Sequence, residues 1–120
     1  MLIAFERLEA LRYAHFLKKD GVMIVNDLRM DPMPVSIGAA QYPENIIENL
    51  KKKHQVISLD AQALAKEIGN ARVFNTIIIG VAAKRMDFAK EDWLKVIEET
   101  VPQKTIEINT RAFEAGYALG

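Results

Sequence analysis

Residues 69–86 read Gly-Asn-Ala-Arg-Val-Phe-Asn-Thr-Ile-Ile-Ile-Gly-Val-Ala-Ala-Lys-Arg-Met, and they contain the longest apolar run of the 120-residue chain. Within it, Ile77 to Ala83 suits either a buried strand or a buried helix, because a short continuous apolar run hides its period. Ile77, Ile78, Ile79 and Val81 are β-branched and speak for the strand. The flanks speak for a helix. Gly69 and Asn70 suit the end of one helix and the cap of the next, Lys84 and Arg85 suit a C-terminus, and Ala71 to Arg85 is too long for an ordinary strand. A helix here carries Phe74, Ile77, Ile78 and Val81 on one broad apolar face. Gly80, Ala82 and Ala83 reduce its bulk, so that another backbone can lie close. The stretch is therefore expected to form a central, nearly fully buried helix.

Working outward, the first third reads strand, helix, strand. Leu2 to Phe5 is an all-apolar run of the kind that a parallel sheet covered on both faces demands. Leu8, Leu11, Ala14 and Leu17 then form a helical stripe ending in Lys18-Lys19-Asp20-Gly21, and Val22 to Val25 is the second strand. A right-handed crossover makes the two strands parallel. Asn26 and Asp27 follow at the carboxyl end of the second strand, where open α/β sheets place their ligands. Asn and Asp also simply turn chains, so the position admits both readings.

Residues 28–43 are the least regular part. Pro32, Pro34 and Pro43 interrupt helices, while Met30, Met33, Val35 and Ile37 are too apolar for a solvated linker. Two readings remain open for this segment, a partner-docking arm with adaptable methionines and a loop covering the edge of the core. Helical spacing returns from Glu44 to Lys53, whose three terminal lysines suit a solvated helix end. Gln55 to Leu59 is a third strand, and Asp60 is a candidate cap for a helix over Ala61 to Ile68 with Leu64, Ala65 and Ile68 facing inward. Further on, Phe88 and Trp93 have the spacing of a hydrophobic staple around a helix start at which Ala89 lacks a capping oxygen. Trp93, Val96, Ile97 and Val101 form an amphipathic stripe, and Thr105 to Leu119 repeats the pattern. The fold class expected is α/β, a three-layer Rossmann-like arrangement with a mostly parallel sheet, flanking helices and a helical second half. Residues 1–120 are read as a single domain.

Sixteen basic residues balance sixteen acidic ones, and no basic run carries interleaved aromatics, so neither nucleic acid nor an anionic membrane is an expected partner. No apolar run approaches a membrane span, and Glu6 and Arg7 end the first apolar run too early for a signal peptide; a cytoplasmic location is expected. With no cysteine in the chain, disulfides, thiolate-held zinc or iron–sulfur clusters and a cysteine nucleophile are excluded. His15 and His54 lie in no metal-ligand spacing, Ser36 and Ser58 in no nucleophile motif, and the pairs Glu91-Asp92 and Glu98-Glu99 at solvent-facing helical offsets. No metal site and no catalytic residue is expected. The first strand is followed by Phe5-Glu6-Arg7-Leu8 and not by a glycine-rich phosphate loop, so the chain does not read as an autonomous nucleotide enzyme.

The segments LIAFERLEALRY, GVMIVND, the loop with Pro32 and Pro34, GNARVFNTIIIGVAA and WLKVIEETVPQKTIEINTRAFEAGY closely resemble, in that order, the gamma domain of 2-oxoacid:ferredoxin oxidoreductases. The most similar variant is the indolepyruvate ferredoxin oxidoreductase beta subunit. The resemblance covers nearly the whole chain but lacks the family's glycine-rich strand–turn–helix. It implies the carboxyl-terminal part of such a domain, from a truncated product, a split gene or a misassigned start. It further implies a non-autonomous subunit of an enzyme that decarboxylates 2-oxoacids, aryl pyruvates such as indolepyruvate among them, to acyl-CoA and passes electrons to ferredoxin. Thiamine diphosphate and the iron–sulfur clusters would belong to a large partner subunit, with coenzyme A as co-substrate of the complex. A sheet edge could be covered by that partner or by a second copy in a homodimer. A non-catalytic assembly or interaction module is the competing reading. Only Asn26 and Asn75 stand out as cofactor-binding candidates, and a buried asparagine bonding backbone is the reading that Asn75 favours.

Overall fold

The computed structural model describes residues 1–120, which divide into two compact units, Met1–Leu59 and Asp60–Gly120. The first unit holds a three-stranded parallel sheet in the order β1 (Leu2–Ala4), β2 (Val22–Asn26), β3 (Gln55–Leu59). Ala4 pairs with Val25, and Val25 with Ser58. Two successive crossovers in one direction place their helices on one face, as right-handedness requires. That face carries α1 (Arg7–Tyr13) and α3 (Ile46–Lys51). Ala4, Met23 and Val25 of the sheet pack there with Ala10, Ile46, Ile47 and Leu50. Ile24 has the opposite parity and is also fully buried. β2 is thus apolar on both faces, which explains its unbroken apolar run.

Local chemistry alters several boundaries. The first helix does not run to Lys18; it tightens into a 3₁₀ turn over Ala14–Phe16. Leu8, Ala14 and Leu17 of the expected stripe pack against the core, but Leu11 is exposed and Ala10 is the fully buried residue of the helix. Asp20, and not Gly21, takes the left-handed conformation (φ 64°) before β2, a region that Asp tolerates. β1 is an edge strand with Ile3 exposed, not a strand covered on both faces, and Phe5 just beyond it is exposed too. In the irregular segment a single helical turn, α2 (Met33–Ser36), forms after all. Pro32 caps it and Pro34 sits in its first turn, where a missing N–H is harmless.

The second unit is helical: α4 (Ala61–Ile68), α5 (Phe74–Ala83), α6 (Lys90–Thr100) and α7 (Ile106–Leu119). Asp60 caps α4 by accepting from the Ala63 N–H at 2.9 Å. Gly69 then leaves the helix at φ 122°, a conformation that favours glycine. Asn70 caps a 3₁₀ turn that leads into α5. The ambiguous apolar run is therefore a helix, with Ile77, Ile78 and Val81 fully buried and Ile79 exposed. Gly80 and Gly116 let α5 and α7 meet backbone to backbone; a Cβ at Gly116 would lie 1.8 Å from the Ile77 carbonyl oxygen, and one at Gly80 2.2 Å from that of Phe113. At the start of α6, Ala89 makes no side-chain cap, and Phe88 packs edge-on against Trp93 with ring centroids 6.1 Å apart. No helix is long and apolar enough to cross a membrane.

Candidate functional site at the carboxyl ends of the strands

A cavity of about 860 Å³ opens in the first unit, lined at the ends of β1, β2 and β3 by Arg7, Asp27 and Ser58, and elsewhere by Arg29, Tyr42 and Lys51. Parity explains which side chains reach it. Asp27 continues the side of Met23 and Val25, the face that bears α1 and α3, and Ser58 is the register partner of Val25. Asn26 has the other parity. It is fully buried, and its Nδ2 donates to the Phe5 carbonyl at 3.2 Å. A cavity does open at the strand end singled out from the sequence, and the side chain lining it there is that of Asp27, ion-paired with Arg7.

Tyr42 and Arg29 of the cavity wall belong to a network that the sequence did not reveal. Glu6 caps α1, its Oε2 accepting from the Glu9 N–H at 3.1 Å. Its Oε1 accepts from the Met30 N–H at 3.2 Å and from the Tyr42 hydroxyl. That hydroxyl in turn accepts from the Leu8 N–H at 3.2 Å. Burial alone would raise the Glu6 carboxyl, but donation from Tyr42 and from the N–H groups of Leu8, Met30 and Glu9 outweighs it and holds the group below its ordinary value. Burial, followed by hydrogen bonding to Glu6 and the charge of its carboxylate, pushes Tyr42 up to about 12. One carboxylate therefore ties the start of α1 to both ends of the 30–42 segment. Arg29 completes the tie, its guanidinium lying 4.5 Å from the Tyr42 ring centroid while it pairs with Asp31 at 2.7 Å. Neither the capping role of Glu6 nor its partner Tyr42, 36 residues away, was read from the sequence.

In the second unit, Asn75 is exposed, and its Oδ1 accepts from the Thr76 N–H at 2.9 Å. It bonds backbone without being buried. The buried polar contact lies next to it: the Thr76 hydroxyl donates to Asn109 Oδ1 at 2.8 Å, and Asn109 Nδ2 donates to the Thr105 carbonyl at 3.0 Å. Asn26 and Asn75 lie in different units. No three His, Asp or Glu side chains are placed to hold a metal ion.

A parallel, Rossmann-like sheet with a cavity at the carboxyl ends of its strands, joined in sequence to a helical unit, defines an α/β domain of the kind that presents a crevice to ligands or partners. The chain belongs to the pyruvate ferredoxin/flavodoxin oxidoreductase family, which matches residues 1–119. It is 37% identical to indolepyruvate oxidoreductase subunit IorB of Thermococcus kodakarensis, in an alignment covering 97% of this chain and 60% of that protein. The same-named subunit of Pyrococcus horikoshii is 34% identical, with the same coverage of 97% and 60%. In fold the chain is similar to the gamma subunit of the keto/oxoacid ferredoxin oxidoreductase from Geobacter sulfurreducens, at a TM-score of 0.71 and 22% identity, over 98% of this chain and 62% of that one. The chain thus spans about 60% of the length of these relatives.

Proposed function

We propose that this chain is a non-autonomous part of a 2-oxoacid:ferredoxin oxidoreductase of the indolepyruvate type, supporting thiamine-dependent oxidative decarboxylation of an aryl pyruvate to the acyl-CoA with electrons passed to ferredoxin. The observation that carries this reading is the alignment of 97% of the chain with indolepyruvate oxidoreductase subunits at 34% and 37% identity. In this reading residues 1–120 act as one functional domain, the carboxyl-terminal part of a gamma domain. Its partner is a larger subunit that carries thiamine diphosphate and the iron–sulfur clusters. Without cysteine this chain supplies no thiolate for a cluster. The thiamine cofactor performs the decarboxylation, and coenzyme A takes up the acyl group. This chain's own residues shape the assembly: Glu6, Tyr42 and Arg29 order the segment beside the cavity, and the Arg7–Asp27 pair neutralises its floor.

A second reading, a non-catalytic assembly module, is favoured by the use of the one buried carboxylate, Glu6, as a cap and tether and not toward the cavity. One anaerobic experiment separates them. Reduction of an artificial acceptor by the cognate larger subunit is followed with indolepyruvate or pyruvate plus coenzyme A, with and without this chain. A several-fold rise in turnover with indolepyruvate is expected. Binding with unchanged turnover of both substrates would leave the assembly module, and absence of binding would sink the subunit reading.

A further inference from the structure

The 28–43 segment is ordered by many polar contacts and packs Tyr42 against the core, yet it leaves three large apolar side chains in solvent. Its ends are tied by Glu6 to the Met30 N–H and to Tyr42. Inside it, the Ala39 and Ala40 N–H groups donate to the Pro34 carbonyl at 2.8 and 3.0 Å. Arg29 forks onto Asp31 at 2.7 and 3.4 Å. Even so, Met30, Met33 and Ile37 are 63%, 72% and 69% exposed. The segment covers the core edge with Tyr42 and presents these three side chains outward. A rigid apolar projection has lost its conformational entropy before any encounter, which is how a preformed docking element gains affinity. Methionine adapts to an apolar pocket better than a branched side chain does.

We propose that Met30, Met33 and Ile37 form a docking knob that inserts into an apolar pocket of the larger oxidoreductase subunit, an inference that rests on the subunit reading above. Area decides between this occupant and a second copy. Three side chains expose a patch on the order of a few hundred Å², and two copies meeting tip to tip would bury far less than the roughly 1,200 Å² of a stable interface. A concave partner surface also covers the exposed flanks at Pro34, Ala39 and Ala40. The ion pair of Arg29 with Asp31 leaves the base of the knob without net charge, so an apolar pocket receives it without burying an unpaired ion.

The test is equilibrium binding of the full chain to the immobilised cognate larger subunit, with sedimentation of the chain alone. M33D/I37D should weaken binding at least tenfold, and M33Q/I37Q should weaken it in the same direction. Phe88→Ser, which removes an equally exposed aromatic from the second unit, should stay within about twofold of wild type. All three should keep the wild-type circular dichroism spectrum. Wild-type affinity in both double variants overturns the knob while leaving the subunit reading intact. A wild-type chain that self-associates, with M33D/I37D monomeric, makes a second copy the occupant and also overturns it. Failure of the wild type to bind overturns the subunit reading and the docking assignment with it.

Discussion

At the scale of single residues, Glu6 and Tyr42 set how the first unit responds to pH. The Glu6 carboxyl is held below its ordinary value, so its contribution to stability is present above the unfolded value and lost as pH falls through the folded one. Tyr42 is pushed up to about 12 from an ordinary 10.0. Its contribution is complete below about pH 10 and declines as pH rises toward 12. Tyr42→Phe should therefore lower stability near pH 7, by about 1.5–3 kcal/mol for a hydrogen bond to a charged group. It should also remove from the absorbance titration the phenol pushed up to about 12. Urea unfolding at several pH values measures the first effect; a variant as stable as wild type at neutral pH would mean that water replaces the hydroxyl on Glu6. The cap that Glu6 makes on α1 and its grip on Met30 and Tyr42 emerge only in the folded chain. A hydrogen bond between residues 36 apart leaves no local pattern.

At the scale of elements, the close approach of α5 and α7 depends on two glycines. Gly116→Ala gains about 1 kcal/mol of intrinsic helix propensity. The added methyl meets Ile77 backbone at 1.8 and 2.7 Å, and backbone cannot swing aside as a side chain can. The helices must separate, exposing part of the face of Ile77, Val81 and Phe113. We expect a net loss of at least about 2 kcal/mol in urea unfolding, at the upper end of overpacking costs; a neutral or stabilised variant would show that the helices separate freely. The helical reading of residues 77–83 was decided by flanking signals, since β-branched residues alone favoured a strand. Close approach by Gly80 was foreseen, but not its partner, because which helix faces it is a tertiary fact. The 3₁₀ turns at Ala14–Phe16 and Ala71–Val73 leave no separate signal in the sequence, for their apolar spacing imitates a longer α-helix.

For the molecule as a whole, the balance of sixteen basic and sixteen acidic residues gives a formal net charge of zero at pH 7. With no long-range field and a knob of apolar side chains, binding to the larger subunit should change by less than about threefold between 0.05 and 0.5 M salt. Steep weakening with salt, measured in the same binding assay, would mean that rim charges such as Arg29 and Lys51 dominate the interface.

The sequence by itself determined the order of the strands and the longer helices, the parallel sheet, the Asp60 and Asn70 caps and the membership of a family of oxidoreductases. These follow from local spacing, turn chemistry and motifs that survive in linear order. Tertiary structure alone decided that Asp27 lines the cavity while Asn26 is buried, that Glu6 meets Tyr42, and that Met33 and Ile37 stand in solvent. Each depends on which backbone lies across from the residue, and burial and long-range hydrogen bonds exist only once the chain has folded back on itself.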